Sequence, residues 1–126
     1  MKLARIVHPA FQQAFSKLNS KSLPLRAAFK LKNIASKVKE EHAKYEELRR
    51  AGLERFGTKD DNGKLLLDSN DNVQLSKENF EAFVKELNDL NSAEIVVDTI
   101  KLSELGDNVE LSSEELSLLD DVIVDG

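Results

Sequence analysis

Asp68-Ser69-Asn70-Asp71-Asn72 is the stretch richest in hard oxygen donors, and calcium is the chemistry such a stretch suggests. With Asp68 as the first ligand of a helix–loop–helix calcium site, Asn70 and Asn72 fall at the third and fifth positions. The sixth position, which turns on glycine in such a site, holds Val73, and the last holds Asn79 rather than glutamate. Starting at Asp60 brings Gly63 two positions early. The stretch therefore reads as a solvated hairpin turn. Transition-metal chemistry has less to work with: there is no cysteine, and the two histidines, His8 and His42, form no paired motif. A Ser-His-Asp triad would have to recruit one of those histidines with no nucleophile-elbow motif nearby. Glu40-Glu41 and Glu114-Glu115 are adjacent pairs, which a helix points about 100° apart, so they read as surface charge rather than an acid–base dyad. The five glycines are scattered singly and make no phosphate loop. The chain reads as non-enzymatic, without a cofactor or metal.

Charge carries more information than any motif. The net charge of 126 residues is −5, but residues 1–57 carry +8 and residues 58–126 carry −13. No acid precedes Glu40 and no base follows Lys101. A basic helical segment can hold a phosphate backbone, and an acidic one can imitate it. The alternative is that the positive region faces the chain's own negative half, or that of a neighbouring copy. No apolar run exceeds four residues, so no membrane span is expected.

Most of these residues must be positioned by helices. Pro9 suits a first helical turn, and Phe11, Ala14, Phe15 and Leu18 line one face over residues 9–19. Residues 2–7 fit either a short strand or a helical lead-in. After a turn at residues 19–22, one helix is expected from Pro24 to Phe56, stopped by Gly57. Ala27, Leu31, Ile34, Val38, His42, Tyr45, Leu48, Gly52 and Phe56 recur along it at three- and four-residue steps, a narrow coiled-coil-like stripe. Leu25, Ala28 and Phe29 are expected to widen its N-terminal half, and the Glu46–Arg50 spacing offers ion-pair support to the charged C-terminal half.

Residues 64–67 and 73–75 are expected to pair as a small β-hairpin, and Ser76 to cap a helix over 77–91 striped by Phe80, Phe83, Val84, Leu87 and Leu90. Residues 95–97 and 100–102 are the best strand candidates. Ser112 and Glu115 form a capping box for a last helix running to the C-terminus. The class is α+β and mostly helical: a helical hairpin with one long helix, a small β-hairpin or sheet, and a C-terminal helix. One domain over 1–126 is expected, with a basic hairpin at 1–57 and an acidic α/β part at 58–126.

The order of segments carries a resemblance. Leu23-Pro24-Leu25-Arg26-Ala27-Ala28-Phe29-Lys30-Leu31 is followed by Glu46-Glu47-Leu48-Arg49-Arg50, by Lys59-Asp60-Asp61-Asn62-Gly63-Lys64, and by Phe83-Val84-Lys85-Glu86-Leu87. Ile95-Val96-Val97-Asp98-Thr99-Ile100 and Val109-Glu110-Leu111-Ser112-Ser113-Glu114-Glu115-Leu116 complete it. Nearly the whole chain thereby resembles a group of short proteins of tailed bacteriophages and prophages, a group with no assigned activity. The resemblance implies a phage gene product, acting in the virion or in the cytoplasm of a bacterial host. The expected function is a structural or assembly component that contacts other phage proteins, or copies of itself. Arg26, Lys30, Lys37, Tyr45, Leu48 and Phe56 are the candidate contact residues. The alternative is an early factor that inhibits a host protein, with its acidic half imitating nucleic acid.

Overall fold

The computed structural model describes residues 1–125. They form α1 (Leu3–Ile6), α2 (Pro9–Asn19), α3 (Leu25–Phe56), α4 (Lys77–Asn91), β1 (Ile100–Lys101), a 3-10 turn (Leu102–Leu105), α5 (Ser113–Leu118) and β2 (Ile123–Val124). The class is as expected: mostly helical, with one long helix and a small sheet. Packing divides the chain into two compact units, one made of residues 1–42 and 94–126, the other of residues 43–93. These divisions do not follow the charge boundary at residue 57.

The first unit holds the whole buried core. Its helical hairpin starts where His8 Nδ1 accepts the Ala10 N–H at 3.1 Å, with Pro9 in the first turn of α2. Phe11 and Phe15 stack with ring centroids 5.7 Å apart. Together with Ala14 and Leu18 they form the buried face of α2, and Ala27, Leu31, Ile34 and Val38 form that of α3. Leu3 and Ile6 of α1, then Ile100, Leu105, Leu119, Val122 and Ile123, complete this core. The segment at residues 2–7 is thus a single helical turn.

Two C-terminal expectations are corrected. The capping box is present, with Ser112 Oγ accepting the Glu115 N–H at 3.1 Å, but α5 ends at Leu118 instead of reaching the C-terminus. Ile123 and Val124 form β2, which pairs in parallel with β1 in the register Ile100 to Ile123. The apolar run at the end of the chain fits a helix locally. A buried partner at Ile100 decides for a strand. Of the other strand candidates, Ile95 hydrogen-bonds through its N–H to the Met1 carbonyl at 2.7 Å, and Val96 is exposed.

The second unit consists of residues 43–56 of α3, two loops and α4. Ser76 caps α4 as expected, its Oγ accepting the Asn79 N–H. In place of two regular strands, residues 58–75 make isolated antiparallel bridges, Lys59 with Leu65 and Leu67 with Val73. The same turn is built twice. Asp60 Oδ1 accepts the amides of Asn62 and Lys64, and Asp68 Oδ1 those of Asn70 and Asn72. The fourth residue of each turn is left-handed, Gly63 at φ 78° and Asp71 at φ 62°. The carboxylates that suggested calcium are therefore turn-forming acceptors.

Candidate functional site

The structure places the six candidate contact residues in two different settings. Arg26, Lys30 and Lys37 lie on the first unit's part of α3, and two of the three are already engaged. Lys30 Nζ reaches the Glu104 carboxylate at 2.9 and 3.1 Å, and Lys37 Nζ reaches Glu41 at 3.1 Å. Arg26 lies beside the same Glu104 in a shallow depression shared with Lys30 and Lys101. The Lys30 hydrogen bond, aided by the Lys101 N–H, holds the Glu104 carboxyl below the usual glutamate value.

The pattern recurs across the first unit. Arg5 faces Asp120 and Asp121 and donates to the Ser117 and Leu118 carbonyls at the C-terminal end of α5. Lys17 meets Glu115 at 3.4 Å. That carboxyl is lowered first by the Ser112 N–H and further by Lys17. The positive segment thus faces the chain's own acidic segment, one of the two arrangements the charge profile allows.

Tyr45, Leu48 and Phe56 lie on the second unit's part of α3, where the stripe changes character. Ala27, Leu31, Ile34 and Val38 are buried, but none of residues 43–93 is. Leu48 is 54 % exposed, as is Phe80, and Leu67 is 52 % exposed. Leu25 and Phe29, expected to widen the buried stripe, point outward instead, at 90 % and 67 % exposure. The cause is geometric. On α3 they lie off the face that the four buried residues turn inward.

Between α3 and α4 the second unit carries an open groove of about 300 Å³. Leu48, Ala51 and Gly52 form one wall, and Phe83, Leu87 and Leu90 the other. Gly52 lets the helices approach, because a Cβ there would lie 2.8 Å from the Phe83 ring. Phe56 meets Phe83 edge-on, with centroids 6.2 Å apart. One end is closed by Arg55, whose guanidinium takes both Glu86 oxygens at 2.6 and 2.7 Å and stacks 4.3 Å over the Phe56 ring. The ion pair nearer the other end joins Arg49 to Glu46, not Glu46 to Arg50. Of the candidate residues, only Leu48 lines the groove directly. The α4 wall was legible as an amphipathic stripe. The Arg55–Glu86 clamp was not, because nothing local pairs residues 31 apart in sequence.

A second cavity, about 580 Å³, lies in the first unit between Met1, Arg5, His8, Phe11, Glu94 and Asp121. It brings a histidine and an aspartate to one wall, but His8 Nδ1 is engaged by Ala10 and Asp121 by Arg5. Among the described residues no group of three His, Asp or Glu side chains could hold a metal ion. No described helix is long and apolar enough to cross a membrane. Comparison with protein families, with characterised proteins and with solved structures found no match for the chain.

Proposed function

We propose that the protein is a non-enzymatic assembly component of a tailed phage, and that it works by seating the α3–α4 face of its second unit on another protein. One observation carries this reading: the second unit has an apolar stripe on each helix and buries none of its residues. Exposed apolar rows flanking a groove are a common mark of protein-binding surfaces. Leu48, Phe83 and Leu87 would supply the apolar centre, with the Arg55–Glu86 pair at its rim. The alternative, an acidic nucleic-acid mimic, has less free charge to use, since Glu104, Glu115, Asp120 and Asp121 are already paired. Mass spectrometry of purified particles and assembly intermediates tests the proposal. The protein should be present in one or the other, and Leu48→Glu should release it. Absence from both refutes the assembly role.

A further inference from the structure

Ion pairing uses some of the first unit's bases and leaves others on a face of their own. Phe29 is 67 % exposed, and Leu25, one turn before it, is exposed too. Round the α3 helix Phe29 stands opposite the buried Val38, with Arg26 and Lys32 about 60° to either side. Both bases are exposed, and neither donates a side-chain hydrogen bond to another described residue. No acid lies on α3 before Glu40, and Glu104, beside Arg26, is taken by Lys30.

This face leads into a depression. Lys32, Lys39 and His42 lie about 60°, 80° and 140° round the helix from Phe29, all in the same sense. Lys39, about 15 Å along the axis from Phe29, lines a depression of about 270 Å³ between α2 and α3. Phe15 and Val38 are at its floor, and Ser16, Asn19, Lys39 and His42 supply polar groups. None of these four side chains is hydrogen-bonded to another described residue, and no carboxylate lines the depression. Glu40 lies 100° round the helix from Lys39, on the side away from His42.

An exposed ring flanked by cations offers a flat face to a base and charge to phosphates. A duplex hides the faces of its bases, so the ring favours an unpaired strand. A lipid surface is the poorer fit, because the face continues from Leu25 and Phe29 into lysines rather than into further apolar residues. We infer that this face of the first unit binds single-stranded nucleic acid. A base stacks on Phe29, phosphates lie against Arg26, Lys32 and Lys39, and the strand runs on into the depression beside His42. The inference uses a different unit from the protein-docking face and goes beyond it.

Fluorescence anisotropy of a labelled single-stranded oligonucleotide with the full chain tests this. Wild type should bind at roughly 0.05 M salt, and three phosphate contacts give log affinity a slope of about −2 against log salt. Lys32→Gln with Lys39→Gln should weaken binding and reduce the slope to about −0.7. Phe29→Ala should weaken binding roughly fivefold or more and leave the slope unchanged, since it removes stacking and no charge. Lys59→Gln with Lys77→Gln takes the same charge from exposed positions of the second unit and should change neither. All five positions are exposed, and circular dichroism checks that the helices are kept. Absence of binding at low salt overturns the inference, as does wild-type affinity in Phe29→Ala or equal losses from the two lysine pairs. Duplex bound as tightly as single strand also overturns it. So does binding to anionic phospholipid vesicles that depends on Phe29 while the oligonucleotide is ignored. Presence in particles bears on the assembly role alone.

Discussion

Leu31 and Leu48 occupy the same helix and the same sequence stripe, yet truncating them should have opposite consequences. Leu31 is 2 % exposed. Leu31→Ala deletes three buried carbons, about 2.4 kcal/mol of transfer free energy, and the cavity left behind raises the loss to about 3–4 kcal/mol. Leu48 is 54 % exposed, so the same deletion removes only about half that contact, opens no closed cavity and costs about 1 kcal/mol of folding stability. Its exposed half becomes useful when a partner covers it. Burying that remainder is worth about 1 kcal/mol, or roughly fivefold in affinity. Because the chain has two compact units, a single unfolding midpoint could merge two events. Amide hydrogen exchange resolved along α3 separates them. Leu31→Ala should speed exchange through residues 25–42, while Leu48→Ala should leave those amides nearly unchanged and weaken binding to the assembly partner. Equal stability losses from the two substitutions would refute the argument, because Leu48 would then be as closed in as Leu31.

Three further outcomes follow from local geometry. Glu104 and Glu115 are both held below the ordinary glutamate value, so the folded state binds fewer protons than the unfolded chain. Their stabilisation is full above about pH 4.3 and is lost as pH falls through the lower folded values; Glu104→Gln should flatten that acid limb in a circular-dichroism titration. Gly106 sits at φ 83° and ψ 178°, and a Cβ there would come within 3.3 Å of Pro24, so Gly106→Ala should cost about 1–3 kcal/mol in thermal or chemical unfolding. Ser112→Ala removes the acceptor for the Glu115 N–H and should cost about 1 kcal/mol, read as faster amide exchange across α5.

What sequence reveals here tracks how local the cause is. The ends of α3 and α4 and the capping box of α5 could be read, because Gly57, Ser76 and Ser112 act on the backbone within one turn of themselves. The parallel pairing of Ile100 with Ile123 could not, since the choice between helix and strand at Ile123 lies with a residue 23 positions earlier. Phe29 and Leu25 misled for a related reason. Their spacing suits a wide apolar face, but the buried residues of α3, Ala27, Leu31, Ile34 and Val38, make a narrow one, and Leu25 and Phe29 lie outside it. Among the bases of α3, charge pattern alone could not separate one that ends in a long-range ion pair, Lys30, from those that do not, such as Lys32 and Lys39. The carboxylate that engages Lys30 lies 74 residues away.

Those sequence separations also set an order in time. Arg5, Lys17 and Lys30 find their carboxylate partners 115, 98 and 74 residues later in the chain. At a synthesis rate of roughly 5–20 residues per second, each base waits roughly 4–23 s for its partner to be made. The whole of residues 43–93 is translated in that interval. A nascent chain therefore passes through a stage in which its basic hairpin is complete and the carboxylates that pair with Arg5, Lys17 and Lys30 are not yet made. For those seconds the hairpin presents these bases beside ribosomal RNA, and translation of the last thirty or so residues both finishes the core and withdraws that charge.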